Sequence, residues 1–308
     1  QRKPSMRMRA CLIAAVLSIA PFSAAVAEPF AYGVAYDDLY RVDLGTRQAT
    51  YVGRAGDYAG LPLAALTGLS YGPGSELYAI AGTQKALVRI NAMNGSATFV
   101  GNFGLAGQGQ GQFDALDLSM TYGCDGSFWM TSALTHDLWR VNAQTAIITR
   151  VGSTGRQITG LAMRGGVLYG TGINSDRGLY RISTSDGTAT LIGGFDGVIP
   201  WIGPSFGSDG TLWATLSYNP PFNREWSDLA RFDVASGAMT NLGPITGPDG
   251  LRYFSMKGLA VAPTSCVPEG PGGTPEPAQL PANSSWAMLL LGLLILIGSA
   301  VQLRKRRA

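Results

Sequence analysis

The sequence predicts an all-β protein with one large domain, and three observations support this prediction. The 308 residues include 42 glycines, and only 14% are charged, which is typical of chains with many tight turns. A strand-like segment recurs five times with the same order of residue types. The strand that the first repeat lacks is found after the fifth repeat, so we expect the repeats to close into a ring.

The repeated segment is a strand whose third residue is arginine. Its copies are Leu39-Tyr40-Arg41, Leu87-Val88-Arg89, Leu138-Trp139-Arg140, Leu179-Tyr180-Arg181 and Leu229-Ala230-Arg231. Each copy is followed by a turn and by a second strand that ends in Val-Gly, Ile-Gly or Leu-Gly. An aromatic-rich run precedes each copy, so each repeat predicts at least three strands joined by hairpins.

A fourth strand, of small residues, precedes the aromatic-rich run in four repeats. Only the first repeat lacks it, and Met256 to Val261 has the matching pattern. Four antiparallel strands per repeat are typical of a β-propeller blade. The sequence therefore predicts a five-bladed β-propeller over residues 28–262, in which the C-terminal strand completes blade one. An open β-solenoid is the alternative.

The five repeated arginines could form a functional ring of cations or a structural element. Binding sites are usually built from residues that differ between repeats. The repetition therefore favours a structural role, in which each guanidinium pairs with a carboxylate or carbonyl between blades.

Both ends of the chain have features of targeting segments. Arg7 and Arg9 precede an apolar run, and Ala25-Val26-Ala27 fits a signal peptidase site, so residues 1–27 are a predicted signal peptide. Residues 263–284 form a Pro/Gly-rich linker. Residues 285–303 are uncharged and long enough for a transmembrane helix, and the basic residues 304–308 are predicted to stay in the cytoplasm. The domain between the two ends is therefore predicted to be exported.

The tail carries a short motif, Leu280-Pro281-Ala282-Asn283-Ser284-Ser285-Trp286, before the apolar segment and the Arg-rich end. This arrangement resembles the exosortase-recognised C-terminal sorting signals of Gram-negative bacteria. Pro281, Ser284 and Trp286 match the variant that reads Ile-Pro-Thr-Leu-Ser-x-Trp, known as IPTL-CTERM, and the run 274–277 is similar to the sister PEP-CTERM signal. The resemblance implies an exosortase-type partner, a transient stay in the inner membrane, and delivery to the cell surface or the medium.

The composition argues against several classes of function. From Glu28 to Ser265 there are 15 Lys and Arg against 18 Asp and Glu, a net charge of −3, so no basic surface for nucleic acid is predicted. The chain has one histidine, His136, and the predicted axis-lining strands carry one carboxylate, Asp117. No catalytic residue, metal site or cofactor is therefore predicted.

The long loops are predicted to share one face of the ring, which we call the long-loop face. Long loops on a rigid scaffold are frequent binding sites, and aromatic side chains beside polar groups suit sugars or peptides. The sequence thus predicts a non-enzymatic propeller that binds a surface protein or an extracellular polysaccharide. The alternatives are a propeller enzyme, either a glycosidase or a lactonase, and a structural component of the extracellular matrix. The candidate ligand residues are Tyr58, Trp201, Tyr218, Phe222, Arg224, Glu225 and Trp226.

Two cysteines, Cys124 and Cys266, remain after removal of the predicted signal peptide. Both are predicted on the face opposite the long loops. An exported pair can form a disulfide, and the sequence leaves open whether this pair does.

Overall fold

The structure is a computed structural model that describes residues 30–106, 116–218, 226–249 and 255–267. Within these residues the chain forms five four-stranded antiparallel sheets and one short hairpin. No helix among them is long and apolar enough to cross a membrane. The predicted signal peptide, the predicted span 285–303 and the motif residues Pro281, Ser284 and Trp286 lie outside the described residues.

Each sheet corresponds to one predicted blade. Blade one contains β1 (Phe30–Ala35), β2 (Asp38–Asp43), β3 (Ala49–Arg54) and, from the far end of the domain, β22 (Met256–Ala260). A two-stranded hairpin follows, made of β4 (Asp57–Tyr58) and β5 (Leu61–Pro62). Blade two contains β6 (Leu66–Tyr71), β7 (Leu77–Ala81), β8 (Ala86–Ile90) and β9 (Ala97–Asn102).

The other three blades repeat this order. Blade three contains β10 (Leu118–Tyr122), β11 (Ser127–Ser132), β12 (Asp137–Asn142) and β13 (Ile148–Ser153). Blade four contains β14 (Ile158–Arg164), β15 (Val167–Gly172), β16 (Gly178–Ile182) and β17 (Ala189–Gly193). Blade five contains β18 (Trp201–Phe206), β19 (Leu212–Ser217), β20 (Ser227–Phe232) and β21 (Met239–Pro244). Short 3-10 turns span Pro73–Ser75 and Asn174–Asp176.

The first strands of the five blades form the centre of the ring, and we call them the inner strands. They are β22, β6, β10, β14 and β18, and each packs against the next, with β18 returning to β22. The predicted five-bladed propeller of four-stranded antiparallel blades is confirmed. The sheet that joins β22 to β1, in which Leu259 lies opposite Gly33, also confirms the predicted closure of blade one.

The middle strands of each blade are buried on both faces because both faces pack on neighbouring blades. All five residues of β7 and all six of β19 are buried, whereas no residue of the outer strand β17 is fully buried. Side chains from adjacent blades share hydrophobic clusters, such as Tyr78 and Ile80 of blade two with Phe128 of blade three. Each fully buried side chain of this size contributes roughly 1.5–3 kcal/mol to folding.

A glycine near the end of each outer strand explains part of the repeated sequence. Opposite it, the arginine-bearing strand has a register shift, as between Leu179 and Tyr180. A Cβ atom on Gly193 would overlap the carbonyl oxygen of Ser236, in the turn of the next blade. Gly53, Gly101 and Gly152 are covered in the same way by the turns of blades two, three and four. These four glycines thus let blades one to four each dock closely on the next blade.

The repeated arginines do not pair between blades as predicted. Each lies directly opposite an aromatic residue on the neighbouring strand of its own blade. The guanidinium of Arg41 lies 3.6 Å from the Phe30 ring centre, and that of Arg231 lies 4.1 Å from the Trp213 ring centre. Arg89 and Arg140 also form ion pairs within their own blades, with Glu76 (3.2 Å) and Asp125 (2.8 Å). The role of the repeated arginines is therefore structural, but it is exerted within a blade and not between blades.

Candidate active site at the mouth of the central channel

The inner strands pack tightly because four of them carry a glycine at the same place. These are Gly68, Gly160, Gly203 and Gly258, and a Cβ atom on any of them would press on the inner strand of the next blade. The residue before this glycine is Thr67, Thr159, Ile202 or Lys257. Blade one therefore places a lysine where the other three of these blades have a small or apolar side chain.

Lys257 lies at the long-loop end of the channel, next to Trp201. Its Nζ atom lies 4.8 Å from the centre of the Trp201 ring, and the Trp201 Nε1 group donates a 2.8 Å hydrogen bond to the Lys257 carbonyl oxygen. Among the described residues no carboxylate lies within ion-pair distance of this amine. The aromatic face is therefore the closest group described here that stabilises the ammonium form.

Burial lowers the pKa of Lys257 from its usual 10.5, and the charge of Asp117 partly opposes this shift. Desolvation has this effect because removal from water penalises the charged amine more than the neutral one. Asp117 directly precedes β10 of blade three, and its backbone has a positive φ of 47°. Blade three is not a neighbour of blade one, so the interaction between Asp117 and Lys257 acts across the channel mouth.

Two buried hydroxyl groups lie on the strand that pairs with the one carrying Trp201. Ser217 is opposite Trp201, and Thr215 is opposite Gly203. Neither Thr215 Oγ1 nor Ser217 Oγ has a hydrogen-bond partner within the described part of the chain. A buried hydroxyl without a partner costs about 1–3 kcal/mol, and such groups are frequent near functional sites.

The opposite end of the channel is covered by the segment that follows β22. Ala262 N donates to Phe206 O of blade five (3.2 Å), Gly165 N of blade four donates to Ser265 O (2.8 Å), and Thr264 Oγ1 donates to Tyr122 O of blade three (2.9 Å). Residues 262–265 therefore pass from blade one across the channel end.

A disulfide bond fixes this covering segment. Cys124, in the turn after β10, is bonded to Cys266, and their Cα atoms are 5.4 Å apart. The bond joins residues 142 positions apart in the sequence. The two cysteines lie on the face opposite the long loops, as predicted, and the question that the sequence left open is answered by their bond.

The predicted ligand residues that the structure describes differ in their exposure. Trp201 and Tyr218 are buried, and the Tyr58 ring stacks on Phe99 with centres 4.0 Å apart. The Trp226 Nε1 group donates a 2.9 Å hydrogen bond to Asp228. Phe222, Arg224 and Glu225 lie outside the described residues. Trp201 packs against the inner strand of blade one, whereas Tyr58 remains 48% exposed beside Phe99.

Sequence reasoning identified Asp117 as an axial carboxylate but overlooked Lys257. Met256 to Val261 fits the inner-strand pattern, and that pattern alone assigns its lysine no role beyond that of a strand residue. The overlooked indication was that Lys257 departs from Thr67, Thr159 and Ile202 at the matching position. No three His, Cys, Asp or Glu side chains of residues 30–106, 116–218, 226–249 and 255–267 lie close enough together to hold a metal ion.

The chain is similar to several solved structures, but both the sequence identity and the structural similarity are low. No family model matches the chain, and no curated protein matches it. A Bacteroides thetaiotaomicron protein of unknown function is 15% identical, with a TM-score of 0.45, over 60% of this chain and 53% of its own. The present chain thus spans about half the length of that structure.

Two further solved structures are enzymes by name. A gluconolactonase from Xanthomonas campestris is 14% identical, with a TM-score of 0.43, over 72% of this chain and 83% of its own. Virginiamycin B lyase from Staphylococcus aureus is 16% identical, with a TM-score of 0.40, over 71% of each chain. These values are too low to transfer either activity.

The prediction of a non-enzymatic module that binds through its long-loop face is corrected. Two of the residues that were to bind the ligand, Trp201 and Tyr218, are buried and not presented to a ligand.

Proposed function

We propose that the chain is an enzyme that opens a lactone or a related ester at the mouth of its central channel, with the Lys257 amine as base. The observation that carries the proposal is the Lys257 amine, which is partly buried and has a lowered pKa. No described carboxylate forms an ion pair with it. An amine that loses its proton more readily than an ordinary lysine can act as a base closer to neutral pH.

The neutral Lys257 amine takes a proton from water as the water oxygen adds to the ester carbonyl carbon. The ammonium group that forms is stabilised by the Trp201 ring face and by the charge of Asp117 across the mouth. The C–O bond of the ring then breaks, and Lys257 returns the proton to the departing oxygen. The products are a hydroxyl group and a carboxylic acid, and the amine is regenerated.

The glycosidase alternative fits this arrangement less well. Glycoside hydrolysis generally needs two carboxyl groups on either side of the bond that is cleaved. Within the described part of the mouth, Asp117 is one carboxylate and the facing group is the amine of Lys257. An amine paired with a carboxylate suits proton transfer at a carbonyl centre better.

The test measures hydrolysis of a panel of γ-lactones, δ-lactones and aryl esters by the full chain in a pH-stat. We expect Lys257→Met to lower kcat/KM by about 10²- to 10⁴-fold at pH 8, as loss of a general base does. Lys257→Arg should fail to restore the rate, because guanidinium stays protonated. Lys85→Met, which removes the other lysine of the described residues, should keep the wild-type rate.

Two results would contradict the proposal. One is a wild-type chain that opens no member of the panel faster than buffer does. The other is a Lys257→Met variant that keeps the wild-type rate while Lys85→Met behaves in the same way.

We also propose that this enzyme acts outside the cytoplasm. The predicted signal peptide 1–27 and the sorting-signal resemblance of residues 280–308 support this location. Signal peptidase and an exosortase-type enzyme are the proposed processing partners. Mass spectrometry of the protein isolated from its host should find a mature N-terminus near Glu28 and a C-terminus near Pro281, and a chain intact at both ends would contradict this.

A further inference from the structure

A buried carboxylate in blade five lacks a counter-charge. Asp228 is 3% exposed and is the one charged residue among the buried residues that the structure describes. Three neutral groups donate hydrogen bonds to it: Trp226 Nε1 (2.9 Å), Asn241 Nδ2 (2.7 Å) and the Tyr218 hydroxyl (3.3 Å). No described cation lies within ion-pair distance of Asp228. Burial of a carboxylate that has only neutral partners costs folding free energy, so a function for this charge is worth seeking.

Blade three shows what this position looks like with a counter-charge. Asp137 is the first residue of β12, and Asp228 is the second residue of β20. In blade three, Arg150 Nε donates a 2.7 Å hydrogen bond to Asp137. Arg150 and Asn241 occupy the same place, directly after the register shift of their blades. Blade five therefore keeps the carboxylate and replaces the guanidinium with an amide.

A cavity of about 400 Å³ lies beside this carboxylate. Tyr218 and Asn241, two of the three donors to Asp228, form part of its lining, and Val198, Ile199 and Met239 supply apolar walls. Its volume lies within the range of small-molecule sites. The cavity is on the outer side of blade five, because Met239 and Asn241 belong to the outer strand.

The rim of the cavity carries a carboxylate with a guanidinium close by. Asp196 is exposed there. The nearby Arg177 donates from Nη1 to the Gly197 carbonyl oxygen (3.1 Å). The cavity thus combines an exposed carboxylate at the rim, a second carboxylate buried behind its polar wall, and apolar surface between them.

We infer that this cavity binds a small organic cation, a primary ammonium or a guanidinium carried on a short aliphatic stem. The cationic head supplies the charge that Arg150 supplies in blade three, and it approaches Asp228 through the polar groups of Tyr218 and Asn241. The stem packs on Val198, Ile199 and Met239. This site is separate from Lys257, which lies on an inner strand, and does not depend on the proposed activity.

Isothermal titration calorimetry of the full chain at constant ionic strength tests the inference, with butylammonium and butylguanidinium as probes. Butan-1-ol and butyrate are the neutral and anionic controls of the same stem. We expect saturable binding of both cations, at least tenfold tighter than that of either control. Asp228→Asn should weaken cation binding at least tenfold, whereas Asp137→Asn, at the matching place in blade three, should not change it.

A second variant keeps the test valid if Asp228→Asn fails to fold. Val198 is 47% exposed, so Val198→Lys should fold while placing a cation at the cavity wall. It should weaken butylammonium binding at least tenfold. The inference fails if butan-1-ol binds as well as butylammonium, if no probe binds, or if Val198→Lys binds like the wild type.

Discussion

At the scale of single residues, Lys257 shows how position in the ring changes the chemistry of a side chain. The same lysine on an exposed strand would be a solvated cation. In the channel mouth it is partly buried against Trp201, and its pKa falls below 10.5 because burial disfavours the charged form. The residue therefore weakens the folded protein when it is protonated, a cost that is typical of functional sites.

The pH dependence of stability follows from the sign of this shift. The folded pKa of Lys257 is below its unfolded value, so between the two values the unfolded chain binds more protons and stability rises with pH. Lys257→Met lacks this contribution. We expect the melting temperature of the wild type, relative to that of Lys257→Met, to increase as the pH rises through the folded pKa towards 10.5. Calorimetry at a series of pH values measures this difference. A difference that does not change with pH would contradict the assigned environment.

At the scale of elements, the blade-to-blade contact is made by the glycine of the outer strand and the turn of the next blade. Asp233, which begins the turn after β20, accepts hydrogen bonds from the backbone N–H groups of Ser236 and Ala235, and these bonds lower its pKa. The turn is thereby held in the shape that covers Gly193. Side chains add little to this contact, because the two backbones meet directly.

Adjacent glycines provide a matched test of this contact. A methyl group at Gly193 would overlap Ser236 O, whereas at Gly194 the nearest atom, Arg177 O, would be 3.5 Å away. We expect Gly193→Ala to lower the free energy of unfolding by about 1–3 kcal/mol, as overpacking does. Gly194→Ala should change it by less than about 0.5 kcal/mol. Urea denaturation followed by tryptophan fluorescence measures both, and equal midpoints would refute the proposed docking.

The blades could be predicted from the sequence because the information is local and repeated. The Leu-x-Arg strand, the following turn and the glycine recur in every blade. An ambiguous assignment in one copy can therefore be settled by comparison with the others. The ligand residues could not be predicted in this way. Trp201 and Tyr218 are residue types that are frequent in binding surfaces, but both are buried. Whether an aromatic ring faces solvent or the protein interior depends on tertiary packing. Lys257 was overlooked because its lowered pKa depends on burial next to Trp201, which a strand pattern does not show.

At the scale of the whole molecule, closure of the ring and closure of the channel are achieved by the same stretch of chain. β22 completes blade one, and the residues directly after it cover the end of the channel opposite the long loops. The bond between Cys124 and Cys266 fixes that cover to blade three. Lys257 lies at the other end of the inner strands, next to Trp201.

The disulfide should contribute measurably to the stability of the ring. A crosslink between residues 142 positions apart restricts the unfolded chain strongly, and such bonds typically contribute about 2–4 kcal/mol. We expect dithiothreitol to lower the urea midpoint of the wild type to that of the Cys124→Ser, Cys266→Ser double variant. The reductant should leave the double variant unchanged. A wild-type midpoint that is insensitive to reduction would show that the bond does not hold the cover in place.

The central claim is that the channel mouth holds an amine poised to act as a base, and the pKa of Lys257 tests it most directly. The sequence contains four lysines, Lys3, Lys85, Lys257 and Lys305, so an NMR titration of the full chain with labelled lysine side chains can be resolved, with the Lys257 signal assigned by its loss in Lys257→Met. The structure predicts that this signal titrates below 10.5. A Lys257 signal that titrates at or above 10.5 would contradict the claim.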